Sequence, residues 1–390
     1  MYKHYSTSNQ SYGSFSQNST IVQEYSDAIS SASYNSEIVY NYQGSPPGLP
    51  NIGNTCYINS ALQCLFHIPQ ISNFFLSDHF AYHLKKEKKQ AKIARNFMTL
   101  IKSFKEFNIN IKDLYEFKES FEALNENLLG HEQQDSQEFL RIFLDNLHEA
   151  FNEKSMNYLN KKPQDFNNGM NEHILANDWW DFNKTRDQSP ITNIFLGQYI
   201  STLNCKDCGN VSKCFENFMD ISLSFKTNEN KYTIDWESKA TVDLIKLFDE
   251  FMKIEGLVSK CDKCKKTSQK NKGLKFSRLP DVLCIHLKRF EYCDGMRKKI
   301  KNPVCFQKER LDLTRYFNNP TLRESCYFNL IGVIEHYGEV NFGHYIAECK
   351  NGKRWYNYDD SKVGESEINF GEKDVRSSSA YILFCEKVRR

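Results

Sequence analysis

The hydrophobic period of the chain changes once, about halfway along. In the first third, apolar residues recur at helical spacing: Ile58, Leu62, Leu65 and Phe66, then Ile93, Phe97, Ile101 and Phe104, then Leu114, Phe117, Phe121 and Leu124. A fourth set joins Phe139, Phe143 and Leu147, with Leu140 and Leu144 beside them. From Ile191 onward the pattern breaks into short β-branched and aromatic runs at 195–203, 282–287, 328–334, 345–349 and 380–384, which read as strands. Helices first and strands afterwards argue for an α+β fold, with a site where the two halves meet.

Two stretches fall outside this pattern. Residues 1–46 are dominated by Ser, Asn, Gln and Tyr and lack the apolar surface that would offset ordering, so a disordered tail is expected there. Between about 153 and 190 the chain turns Asn-, Lys- and Asp-rich around Trp179-Trp180, which suggests a long surface excursion. No internal repeat is present.

Charge and cysteine content narrow the function. The 51 basic and 49 acidic side chains nearly cancel, so no overall field draws the chain to nucleic acid or to an anionic membrane. No uncharged apolar run approaches the roughly 18 residues of a membrane span, and the first residues carry no signal-peptide core. A soluble protein of the cytoplasm or nucleus, acting as a monomer, is expected. Thirteen cysteines are an odd number for a disulfide framework, which leaves catalysis, metal binding and burial as their uses.

Gly53-Asn54-Thr55-Cys56 is a turn that runs straight into the first helical stripe. Cys56 therefore stands at a helix N-terminus, where aligned peptide dipoles favour an anion and free N–H groups can face an oxyanion. Asn51, five residues earlier, is a candidate side-chain donor for the same charge. A cysteine on an apolar helix is more often plain core, and Cys64 fits that reading.

A thiol nucleophile needs a base that accepts a proton near neutral pH. Of ten histidines, His344 stands out, because Gly343 precedes it, Tyr345-Ile346-Ala347 continues as a strand, and His336-Tyr337-Gly338 lies upstream as if across a loop. Asp359 ends the alternating run Trp355-Tyr356-Asn357-Tyr358, which can pair with the His344 strand through a turn at Asn351-Gly352 and hold the imidazole. Asp360 can share that role, take it over, or act on the oxyanion side. Asp135 is read as a helix cap, with Glu138 completing a capping box.

Cys205-Lys206-Asp207-Cys208 and Cys261-Asp262-Lys263-Cys264 are two CxxC knuckles, together four thiolates for one tetrahedral zinc. The gap between them suits the tips of two hairpins brought together better than a compact ribbon. Four cysteines close such a site, so the metal would be structural. Nothing in the chain points to an organic cofactor.

The segment Gly48-Leu49-Pro50-Asn51-Ile52-Gly53-Asn54-Thr55-Cys56-Tyr57-Ile58-Asn59-Ser60 closely resembles the cysteine box of ubiquitin-specific proteases. His336-Tyr337-Gly338, Gly343-His344-Tyr345, Trp355-Tyr356 and Asp359-Asp360-Ser361-Lys362-Val363 resemble the histidine box, and 380–384 its closing strand. The stretches 133–140 and 279–290 match connecting segments, so the resemblance runs from about 47 to 386. It implies a papain-like core at 47–388, with a helical thumb near 50–150, zinc-bearing fingers near 193–285 and a palm mainly at 286–386. By the same resemblance Cys56 is the nucleophile, His344 the base, Asp359 the orienting acid and Asn51 the oxyanion donor. Asp135 and Tyr345 fall where such enzymes hold the ubiquitin tail, and the implied substrates are ubiquitin and ubiquitinated proteins.

Overall fold

In a computed structural model of the chain, the first apolar stripe becomes helix α1 (Cys56–Phe66), and all of its residues are buried. Residues 46–389 are described, apart from 126–132, 154–162, 164–169, 226–239, 294–295, 319–325, 340–341 and 371–372. The expected tail lies outside the described residues up to position 45.

The other described helices are α2 (Pro69–Phe75), α3 (Asp78–His83), α4 (Ala91–Lys105), α5 (Ile111–Glu122), α6 (Ser136–Phe151), α7 (Glu172–Arg186), α8 (Pro190–Phe195) and α9 (Leu244–Phe251). The apolar stripes of α4, α5 and α6 meet in an aromatic core. Phe97 and Phe143 pack edge to face at 4.9 Å, as do Phe121 and Phe139 at 4.8 Å and Phe75 and Phe97 at 4.8 Å. Edge-to-face pairs add about 0.5–1.5 kcal/mol each beyond their area.

The strands form one large and one smaller sheet, with two minor ladders beside them. In the large sheet the order is Lys362–Glu365, Arg354–Asp359, Gly343–Asn351, Tyr327–Gly338, Ala380–Lys387, Val282–Lys288, Asp220–Ser224; only the last pair is parallel. Cys284, Ile334, Ile382 and Phe384 on one face join the helical core. Leu283, Ile285, Leu287, Val333 and Leu383 on the other face build a second core with α9. Burial on both faces explains why these strands read as continuous apolar runs in the sequence. The smaller sheet runs Val211–Phe218, Gly197–Cys205, Thr267–Arg278, Glu255–Lys260, all antiparallel.

One expectation is corrected. The excursion at 153–190 holds a four-turn helix, α7, capped by Asn171, whose side chain accepts from the N–H groups of His173 and Ile174. Leu175, Ala176 and Trp179 pack on Ile200 and Phe215 of the small sheet, while Trp180 stacks against Arg278. Its apolar stripe is narrow, because the helix packs a few side chains on the outer two strands of the small sheet and not into the main core, so composition hid it.

Candidate active site and thiol cluster

Helix α1 is wedged between α6 and the strands Gly343–Asn351 and Tyr327–Gly338, which brings the two halves of the chain together at Cys56. Gly53 (φ 112°) and Asn54 (φ 51°) take two successive left-handed conformations to swing the chain into the helix. Glycine tolerates these at no steric cost and asparagine better than most residues, which accounts for that dipeptide. The Asn51 Oδ1 braces the turn by accepting from Gly53 N (3.1 Å) and Thr55 N (3.2 Å).

Cys56 is only 4% exposed. Burial raises its thiol pKa above the ordinary value and Asp360 adds to this, while N–H donors at Tyr345, Gln133 and Tyr57 pull it down without cancelling the rise. The helix N-terminus alone therefore does not yield a thiolate in the resting state. A base has to take the proton.

His344 supplies an oriented imidazole. Its Nε2 lies 2.6 Å from Asp359 Oδ1, and both side chains are about two-fifths exposed, 41% and 43%. The strands that carry them pair directly and are joined by a two-residue turn with Gly352 at φ 60°. With the Nε2 proton donated to Asp359, Nδ1 is the nitrogen left to accept a proton. Among the described residues no hydrogen bond joins His344 to Cys56; the side chain that contacts the sulfur is Gln133, whose Nε2 is 3.6 Å away.

The two adjacent aspartates divide their work. Asp360, at φ 51°, stays within 4.8 Å of the His344 imidazole and the Asp359 carboxylate, but its hydrogen bonds go to the asparagines: it accepts from Asn51 Nδ2 (2.9 Å) and Asn59 Nδ2 (2.8 Å). Its carbonyl accepts from Leu49 N at 2.9 Å, and a Cβ on Gly48 would lie 2.4 Å from that same oxygen. Glycine is required there by close backbone approach. Asp360 thus ties the segment before Cys56 to the turn after Asp359.

Asp135 caps α6 through the Gln137 N–H (2.8 Å) and accepts from the Tyr381 hydroxyl (2.6 Å). Asp135 bonds the second N–H of the helix and not that of Glu138, so the cap is made but the expected capping box with Glu138 is not; the second Asp135 oxygen is taken by tertiary structure. The Tyr345 ring is buried against His336 and Tyr381, and its N–H is what it offers to Cys56. Beside α6 a cavity of about 180 Å3 is lined by Gln137, Arg141, Asp145, Asp220 and His286 among others. Burial raises the carboxyl pKa of both Asp145 and Asp220 and lowers His286 to about 4. Two larger clefts, about 270 and 410 Å3, border the small sheet and contain none of the candidate catalytic residues.

The four knuckle cysteines come together as the two-hairpin reading requires. Cys205 and Cys208 lie at the tip joining Gly197–Cys205 to Val211–Phe218, and Cys261 and Cys264 at the tip joining Glu255–Lys260 to Thr267–Arg278. Each tip closes alike, Gly209 N on Cys205 O and Lys265 N on Cys261 O, with left-handed φ of 65° and 62°. The four sulfurs lie within 4.8 Å of one another, and Cys208 and Cys261 Sγ are 3.7 Å apart. A tetrahedron with metal–sulfur bonds of about 2.3 Å has sulfurs about 3.8 Å apart, so the cluster fits one metal ion.

Sequence reasoning passed over three contributors: Gln133, Asn59, and the pair His67 and Tyr358. Asn59 and Gln133 were visible inside matched segments, but nothing in a linear pattern reveals an amide's partner. A buried cysteine at the start of a central helix, with a His–Asp pair on the adjoining strands, is the arrangement of a papain-like core. The sequence profile described as Ubiquitin carboxyl-terminal hydrolase matches residues 47–385, and the chain belongs to that family. It is 31% identical over 342 residues to Ubiquitin carboxyl-terminal hydrolase Usp2 of Drosophila melanogaster, covering 87% of this chain and 34% of that protein. To human Ubiquitin carboxyl-terminal hydrolase 21 it is 29% identical over 361 residues, covering 87% of this chain and 61% of the relative. The chain thus spans about a third to three-fifths of these curated relatives. Among solved structures it resembles the SAGA Ubp8/Sgf11/Sus1/Sgf73 DUB module bound to ubiquitin aldehyde, with a TM-score of 0.68, 25% identity, and 95% of this chain against 75% of that chain covered.

Proposed function

We propose that the chain is a thiol-dependent deubiquitinase that hydrolyses the isopeptide or peptide bond after the C-terminal glycine of ubiquitin. The observation that carries this is the pairing of His344 with Asp359 on adjoining strands, one of which also directs the Tyr345 N–H at the Cys56 sulfur. In this reading His344 Nδ1 takes the Cys56 proton and the thiolate attacks the glycine carbonyl. Asn51 Nδ2, held by Asp360 through one N–H, would offer its second to the oxyanion. The imidazolium then protonates the leaving amine, and water hydrolyses the thioester.

Substrate class rests on family membership together with the cleft beside α6. Its lining combines apolar walls from Leu140, Leu144, Met219 and Ile382 with the carboxyl groups of Asp145 and Asp220 beside Arg141, which suits an extended peptide tail carrying both aliphatic and basic side chains. The described part from 46 onward is then one catalytic domain, and the four-cysteine cluster holds one structural zinc. That zinc would fix the small sheet and leave no open coordination position.

The test is reaction of the recombinant chain with a ubiquitin C-terminal electrophile. A covalent adduct on Cys56, lost in Cys56→Ser, is expected. Folded protein that forms no adduct and cleaves no ubiquitin conjugate would overturn the reading.

A further inference from the structure

Gln133 stands two residues before the Asp135 cap, and its side chain has no part in the reaction outlined above. Its Nε2 donates to the Gly343 carbonyl (2.5 Å) and stands 3.6 Å from Cys56 Sγ, while its Oε1 accepts from the Gly343 N–H (3.1 Å). Only a primary amide can donate to and accept from one backbone residue and still have a second N–H for the sulfur. Gly343 immediately precedes His344 and pairs with Gly338 across the hairpin. A Cβ on Gly343 would lie 1.9 Å from the buried His336 Nε2, so this backbone is fixed from both sides.

We propose that Gln133 is a positioning residue: its amide clamps Gly343, and with it the His344 strand, against the nucleophile helix, while its second N–H holds the Cys56 sulfur until His344 takes the proton. The clamp bridges the helical half and the strand half at the point where nucleophile and base meet. Its effect on turnover rests on the deubiquitinase reading; its effect on the thiol does not. The titratable groups that act electrostatically on the sulfur are Asp360, from the turn after Asp359, and the Tyr57 side chain of α1; Tyr57 and Tyr345 also face it with backbone N–H groups, and the His344–Asp359 pair is carried by the adjoining strands. Gln133 is uncharged, so its removal alters donors to the sulfur and not the local charge.

The experiment reads the pH midpoint of Cys56 alkylation by iodoacetamide, followed on the Cys56 peptide by mass spectrometry, beside turnover of a ubiquitin conjugate. Gln133→Ala is expected to raise the midpoint by about one pH unit, since one donor to the thiolate is lost. It should also lower kcat about 10-fold or more while KM changes less than about threefold, because positioning and not substrate binding is disturbed. Gln133→Glu keeps an acceptor for the Gly343 N–H but sets an anion beside the sulfur, and should raise the midpoint further. Gln134→Ala, the neighbour without these contacts, should move neither quantity.

A Gln133→Ala midpoint equal to wild type overturns the proposal even if the variant melts earlier. So does a Glu variant whose midpoint is no higher than that of the Ala variant. If Gln133→Ala does not fold, the near-isosteric Glu variant is judged against wild type on the same midpoint. Wild-type protein inactive on ubiquitin conjugates would remove the proposed function, yet the alkylation midpoints would still decide the clamp.

Discussion

The Nε2 of His67 lies 2.9 Å from the Tyr358 hydroxyl, which ties the end of the helix that begins at Cys56 to the residue just before Asp359. The other ring nitrogen, Nδ1, is 2.7 Å from the Gln63 carbonyl. His67 is thereby held as a neutral imidazole that donates from Nδ1 and accepts at Nε2. Nucleophile helix and acid strand are joined through a side chain that reacts with nothing.

That arrangement has a pH signature. Burial lowers the His67 pKa from 6.5 to about 4, so between these values the unfolded chain binds a proton that the folded chain does not. Its stabilisation is complete above about 6.5 and is lost progressively as pH falls to about 4, by at most about 3 kcal/mol for this residue. His286, lowered to about 4, and His336, lowered to about 3, act with the same sign. Urea midpoints should fall steeply between pH 6.5 and 4, and less steeply in His67→Gln. A midpoint that stays flat over that range would refute the neutral assignment.

Asp359 and Asp360 should separate under mutation despite being neighbours. Asp359→Ala removes the acceptor that orients His344 and is expected to lower kcat by about 10²-fold or more with little change in Tm. Asp360→Ala releases Asn51, Asn59 and one neighbour of the thiol at once. Turnover should fall about 10²-fold through the loosened Asn51 donor, and stability by about 2 kcal/mol. The alkylation midpoint of Cys56 should move down in this variant, because an anion that opposes the thiolate has gone. A midpoint that rises or stays put would show that Asp360 does not act on the sulfur as its placement requires.

Metal removal gives a third test. Protein expressed with zinc available should carry one zinc ion per chain by elemental analysis, and none in the Cys208→Ser/Cys264→Ser double variant. Loss of the ion should lower Tm by about 5 °C or more, since it closes the tips of both hairpins of the small sheet. Conjugate hydrolysis should suffer more than alkylation of Cys56. Full stability and activity in the double variant would mean the four thiols are incidental.

Much of the fold is legible without coordinates because it rests on period. The stripes of α1, α4, α5 and α6 and the β-rich runs of the large sheet each bury a face or two faces that the sequence marks. Helix α7 is not legible because its stripe meets a small patch around Ile200 and Phe215 of the small sheet, and its polar composition resembles that of a loop. Local chemistry was equally readable where it is covalently local: the left-handed turn at Gly53-Asn54, the cysteine that follows it, and the two CxxC knuckles.

The sequence alone singled out the residues proposed to carry the chemistry, Cys56, His344, Asp359 and the four knuckle cysteines, because residue type and spacing limit the available reactions. Only the tertiary structure decided how they are held. It gave Asp359 to the imidazole and Asp360 to the two asparagines, placed Gln133 against both the sulfur and Gly343, and made burial outweigh the helix N-terminus at Cys56. These outcomes depend on desolvation and on hydrogen bonds between groups up to about 300 residues apart in the chain, the Asn59–Asp360 pair being separated by 301. Neither quantity has a counterpart in the linear pattern.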